Sequence, residues 1–224
     1  MNILYVILSC QKFIPTKCQW IKETWARNLN QNDDYVILSA KEDLSNKTVG
    51  YNTGDEYKDA ADKYSEFFKS YQPALDIDWL FFVDDDTYVY TSRLKSVLSA
   101  YSGDEVIGRE IWVGPEAASR GVHKDNGRVV FPINCPSGGS GFAISKKVFS
   151  IIKKYVNQDI HCKCHNGDVT FGFWLRENNI PLINRSDLFR SQNPEHIENR
   201  GIENPVTWHY CDEKHFRESF ANDL

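Results

Sequence analysis

The sequence has no long apolar run. Its opening stretch, MNILYVILSC, is apolar from Ile3 to Leu8, far short of the roughly 18 residues a membrane span needs. No basic segment or small-residue cleavage site accompanies it, so it does not read as a signal peptide. Basic tracts are missing too. Lys and Arg number 26 against 31 Asp and Glu, for a net charge of −5, and no basic run is interleaved with aromatics. Nucleic-acid binding is therefore not expected. There is no internal repeat, no low-complexity tract and no linker among the 224 residues, so one domain is expected. Two phosphate-binding signatures are also absent. PSGGSGFAIS has no G-K-[ST] after it, and its glycines precede a strand, where a dinucleotide fingerprint would follow one. These features predict a soluble, cytoplasmic chain with no secretory address. The alternative is a luminal chain whose anchor lies outside these residues.

Cysteine is limited to positions 10, 18, 135, 162, 164 and 211. An even count permits disulfides without requiring them. HCKCH, residues 161 to 165, invites a zinc reading, but C-x-C is not the usual spacing and one short stretch wraps a tetrahedral ion poorly.

What is present is an alternation. Ile3–Leu8 reads as a buried strand, Thr16–Leu29 as a helix, and Tyr35–Ser39 as a second strand. Lys41–Asp55 reads as a loop and Glu56–Tyr71 as an amphipathic helix. Trp79–Val83 is a third strand, and Thr91–Tyr101 a helix capped by Thr91 or Ser92. Such alternation predicts a mostly parallel sheet with helices on its faces. Further on, residues 103 to 136 read as a short strand or hairpin with long loops. Gly141–Ser145 is a strand, and a helix runs from Lys146 to about Val156. Asp168–Glu177 is helical, Ile180–Ile183 and Val206–Tyr210 are strands, and Asp212 caps a terminal helix to Phe220.

The chemistry concentrates where FFVDDDTYV leaves the third strand. Asp84, Asp85 and Asp86 follow three apolar residues directly. Adjacent carboxylates repel and resist desolvation unless a cation compensates. Their place at a strand's carboxyl end, where open α/β sheets bind ligands, favours a divalent-metal site over a solvated acidic turn. Hard oxygen donors suit Mg²⁺, Mn²⁺ or Ca²⁺, and no EF-hand ligand ladder follows. Gly138 and Gly139 allow close backbone approach to a ligand or a tight turn. Asp168 is either a helix N-cap or a general base, and spacing alone does not rank the two. His209, at the end of VTWHY, is the histidine best placed to reach a metal. Trp112 falls in the loop-rich stretch from 103 to 136, and Trp174, on an apolar helix, is expected to pack in the core.

Taken in order, TKCQWIKETW, WLFFVDDDTYV, CPSGGSGFAISKKV, GDVTFGFWL and VTWHY resemble the fringe and core-1 β1,3-galactosyltransferase group of inverting glycosyltransferases. The resemblance covers nearly the whole chain. It implies a GT-A fold, an α/β architecture with a mixed, mostly parallel sheet. Residues 1–103 would form the nucleotide-binding half and 104–224 the acceptor and catalytic half. It implies a UDP-sugar donor of Gal, GlcNAc or Glc, a glycan or glycosylated acceptor and a β1,3 linkage. Bound Mn²⁺, or Mg²⁺ in its place, would be held by Asp84, Asp86 and His209. Lys17, Lys63, Asp84, Asp85, Gly138 and Gly139 would face the nucleotide, and Asp168 would be the base. The alternative is a metal- or sugar-binding module that kept the fold without catalysis. The chain departs from the family pattern twice. Gly167 stands where a first acidic residue precedes Asp168, and Gln192 stands where fringe carries a metal histidine, which moves that role to His209.

Overall fold

Strand β1, Ile3–Leu8, sends alternate side chains to opposite faces, and nearly all are buried. Leu4 and Val6 join one apolar cluster, while Ile3, Tyr5 and Ile7 join another. A strand covered on both sides must be apolar throughout, which is why it reads as a continuous run. The structure, a computed structural model, describes residues 1–72, 76–114, 132–158 and 166–223.

Around β1 are β2 (Asp34–Ser39), β3 (Thr48–Gly50), β4 (Trp79–Asp84), β6 (Val106–Gly108), β9 (Phe142–Ser145) and β10 (Leu182–Asn184). They form a seven-stranded sheet ordered β10-β6-β9-β4-β1-β2-β3. Only β9 runs against the others. Helices α2 (Ala60–Ser70), α4 (Lys146–Val156) and α5 (Gly167–Glu177) cover one face. Helices α1 (Lys17–Glu23), α3 (Thr91–Leu98) and α6 (Glu213–Ala221) cover the other. The first core is aromatic at its centre. Phe82 on β4 lies within ring-contact distance of Tyr64, Phe67, Phe68, Phe142 and Phe171.

Two small sheets flank the large one. β7 (Glu110–Val113) pairs with β8 (Ile133–Pro136), the hairpin expected in that region, and Trp112 on β7 is 63% exposed. β5 (Tyr88–Val89) pairs antiparallel with β12 (Thr207–Trp208), which also pairs with β11 (Phe189–Arg190). Among the described residues no helix is long and apolar enough to cross a membrane.

Several expected boundaries are corrected. The helix anticipated over 16–29 breaks at Thr24, whose φ and ψ of −119° and −111° are not helical. Its hydroxyl donates back to the Trp20 carbonyl at 2.6 Å, and the chain continues as a 3₁₀ turn that carries Trp25 into the core. The Trp25 indole then donates to the Thr87 carbonyl at 3.2 Å, a tertiary bond that local periodicity does not report. The loop expected over 41–55 contains β3, because Val49 registers with Leu38 at the sheet edge. Helix α3 has neither expected cap. Tyr90 occupies that position without a side-chain bond, and Thr91 is the first helical residue. Trp174 packs in the core, 3% exposed, as favoured above. Asp212 caps α6 as expected, accepting from the His215 amide at 3.0 Å. Cys10, Cys18, Cys135 and Cys211 are free thiols. The HCKCH stretch lies outside the described residues.

Candidate active site

β4 ends at Asp84, in register with Leu8 of β1, so the triplet emerges where two central strands run out together. The turn is closed by the Thr87 amide donating to the Asp84 carbonyl at 3.2 Å, and the chain enters β5 at once. Because β5 pairs with β12, the next residue of that distant strand is His209, delivered beside the aspartates. The Cys211 amide donates to the Asp86 carbonyl at 2.8 Å and locks this register. His209 Nε2 lies 3.2 Å from Asp86 Oδ1 and 4.0 Å from Asp84 Oδ2. One donor atom from each of these three residues lies within 4.8 Å of the others.

Asp168 reaches the same place from α5. The N-cap of that helix is Asn166, whose side chain accepts from the amides of Asp168 and Val169 at 2.9 and 3.3 Å. The capping alternative for Asp168 therefore falls away. Its carboxylate accepts from the Gly138 amide at 3.0 Å. The glycines are required by proximity. A Cβ on Gly138 would lie 2.6 Å from Asp168 Oδ1, and one on Gly139 would lie 2.2 Å from the His209 ring. Gly167 also has a packing reason, since a Cβ there would sit 2.7 Å from the Tyr64 ring.

These groups line one cavity of about 790 Å³ at the carboxyl end of the sheet. Lys17, Lys63, Asp84, Asp85, Asp86, Gly139, Asp168 and His209 all line it, and Gly138 reaches it only through its hydrogen bond to Asp168. Gln192 lines it too, outside the group of Asp84, Asp86 and His209 that could hold a metal ion. Sequence reading missed Ser9 and Asp55. The Ser9 hydroxyl donates to Asp85 Oδ2 at 2.6 Å. Lys63 is buried, with its ammonium on Asp55 Oδ1 and the Ser9 carbonyl, both at 2.8 Å. Ser9 directly follows β1, so the strand-end rule that picked out the triplet could have found it. Tyr210 stacks on His209 with ring centroids 3.8 Å apart and has φ of 54°, a left-handed conformation uncommon outside glycine. Such strain tends to collect at functional sites.

Electrostatics tie the groups together. Burial raises the Asp84 carboxyl well above the usual range, and the charges of Asp168, Asp86 and Asp85 raise it further. Burial also pushes Asp168 up to about 6, against the pull of the Gly138 amide and of His209. Burial works to raise Asp86 as well, but His209 and Lys17 outweigh it and hold that carboxyl low. Two carboxylates and an imidazole around one point, with like charges in need of compensation, fit a hard or borderline divalent cation.

The family model described as Fringe-like matches residues 1–220. The β-1,3-N-acetylglucosaminyltransferase lunatic fringe of Xenopus laevis is 24% identical over 230 residues, covering 93% of this chain and 59% of that protein. That of Danio rerio is 25% identical over 216 residues, covering 88% and 55%. The chain thus spans a little over half the length of these curated relatives. Among solved structures, the galactosyltransferase LgtC with donor and acceptor sugar analogues aligns with a TM-score of 0.51 at 13% identity, covering 99% of this chain and 96% of that one. The architecture is the GT-A fold expected above.

Proposed function

The chain belongs to the Fringe-like family, and on that premise we propose that it is an inverting, metal-dependent glycosyltransferase. It would move Gal, GlcNAc or Glc from a UDP-sugar to a hydroxyl of a glycan acceptor and form a β1,3 linkage. The observation that carries this reading is the meeting of Asp84, Asp86 and His209 with Asp168 in one cavity beyond the strand ends.

Asp84, Asp86 and His209 would hold Mn²⁺, or Mg²⁺ in its place. When bound, such an ion supplies positive charge to a leaving diphosphate. Asp85 and Lys17 lie beside that group, facing the donor. Lys63 is spent on Asp55 and Ser9, so its contribution is to fix the loop after β1 and the wall of the donor pocket. Asp168 is the base. Gly138 engages its Oδ1, which leaves the second oxygen to take the proton from the acceptor hydroxyl. Base assistance of this kind is worth roughly 10²–10⁴ in rate. Attack opposite the leaving group in a single displacement inverts the anomeric centre. On this reading residues 1–103 serve the donor, while 104–224 supply the base and the imidazole.

The test is UDP release from UDP-Gal, UDP-GlcNAc and UDP-Glc with Mn²⁺, repeated in EDTA. Donor turnover that EDTA abolishes and Mn²⁺ restores is expected. Turnover unaffected by EDTA would overturn the metal assignment. Asp168→Asn should keep UDP and Mn²⁺ binding and lose transfer, and a normal transfer rate in that variant would remove Asp168 from its role.

A further inference from the structure

The acid triplet already has a cation against it. Lys17 Nζ lies 2.9 Å from Asp86 Oδ2 and 3.2 Å from Asp85 Oδ1. Its side chain is only 22% exposed, and the ammonium sits over the Phe13 ring, 4.4 Å from the centroid. Lys17 is the first residue of α1, so its backbone is fixed while its long side chain lines the cavity. The carboxylate it grips is the one whose other oxygen faces His209.

We propose that Lys17 is an internal counter-ion that fills the acid triplet before the divalent ion arrives and moves to the donor diphosphate afterwards, coupling the two binding events. This rests on the reading of the triplet as a metal and UDP-sugar site. Lys17 and an ion held by Asp84, Asp86 and His209 would share the Asp86 carboxylate. A +2 and a +1 charge on one carboxylate would repel, by the equivalent of about tenfold in affinity at the dielectric of water. The bare protein therefore binds the ion weakly. A diphosphate relieves the conflict because it offers the ammonium other oxygens. Each ligand then tightens the other by the same factor, as linkage requires.

The experiment measures Mn²⁺ affinity by calorimetry and by EPR of free Mn²⁺, with and without UDP, for the wild type and Lys17→Met. Lys12→Met is the control. Lys12 lines the same cavity, with its ammonium 4.5 Å from the Phe13 centroid, and among the described residues it makes no ion pair with the triplet, unlike Lys17. Without UDP, Lys17→Met should bind Mn²⁺ about tenfold more tightly than wild type. UDP should tighten Mn²⁺ several-fold less in that variant than in wild type, and Lys12→Met should shift both quantities much less. Equal or weaker bare Mn²⁺ affinity in Lys17→Met overturns the inference, as does an equal effect of Lys12→Met, which would make it a matter of net charge. A wild type that binds no Mn²⁺ with or without UDP overturns the function reading as well, so the two failures are told apart.

Discussion

The Gly138 amide donates to Asp168 Oδ1 at 3.0 Å, and the same glycine leaves no room for a Cβ, which would lie 2.6 Å from that oxygen. Backbone and carboxylate are in contact because nothing separates them. The neighbouring Gly139 stands in the same relation to His209, whose ring would be met at 2.2 Å. Two consecutive glycines thus seat the proposed base and the proposed metal imidazole.

This separation of roles gives a paired prediction. Gly138→Ala should push the Asp168 carboxylate aside and lower kcat for transfer by about 10²-fold or more, with Mn²⁺ affinity held within a few-fold. Gly139→Ala should displace His209 and weaken Mn²⁺ binding, which outer positioning residues typically alter by about 10–100-fold. Calorimetry with Mn²⁺ beside transfer kinetics checks both. Equal losses of metal affinity in the two variants would contradict the assignment.

As the proposed base, Asp168 should set the acid side of the pH profile. Burial raises its carboxyl to about 6 in the metal-free protein. A base must be ionised, so kcat/KM should fall tenfold per pH unit below that value. A bound divalent charge lowers it, which places the acid limb at or below about 6. The limb should vanish from the residual activity of Asp168→Asn. An acid limb centred above 7 would count against Asp168 as the base.

The elements that could be read from sequence are those whose cause is local. β1 and β4 show as apolar runs because both their faces are covered, and α4 and α6 show because caps and periodicity agree. Asp84–Asp86 stood out because charge at a buried strand end needs a reason. Three features could not be read in this way. The delivery of His209 depends on β12 pairing with β5 across more than a hundred residues of chain. The Lys63–Asp55–Ser9 network joins three elements whose contact has no sequence period. The break at Thr24 follows from where Trp25 must sit, and helix propensity does not encode that position.

The Lys63–Asp55 pair should carry stability as well as shape. Lys63 is 2% exposed, whereas Asp55 is partly open to solvent. Removing the carboxylate leaves an ammonium buried with one carbonyl. Breaking a fully buried pair costs about 3–5 kcal/mol, and the exposure of Asp55 brings the expected cost of Asp55→Ala to about 2–3 kcal/mol. Adding Lys63→Met should recover much of that loss, because an apolar side chain of similar length needs no partner there. Urea unfolding of the two single variants and the double variant gives the coupling directly. Additive losses would mean that the pair is not acting as a unit.

The metal-free protein should be more stable without Asp84. An unfolded aspartate titrates near 3.9. Folding raises Asp84 well above that, through burial and then the charges of Asp168, Asp86 and Asp85. Between the two values the folded chain binds more protons, so stability falls as pH rises through this window. Above it the ionised carboxylate is a standing cost to the fold. Asp84→Asn removes the charge and keeps the shape, so in EDTA at pH 7.5 its melting temperature should exceed that of wild type. A gain of about 1 kcal/mol corresponds to about 2–4 °C for a chain of this size. The advantage should be smaller in melts at pH 5, because lowering the pH shifts the wild-type carboxyl toward its protonated form. With Mn²⁺ the order reverses: the wild type gains stability from the bound ion, and Asp84→Asn, short of one donor, gains far less. Thermal melts in EDTA and in Mn²⁺ at both pH values decide the matter. A lower melting temperature for Asp84→Asn in EDTA at pH 7.5 would show that the triplet is not held in the fold against its own electrostatics.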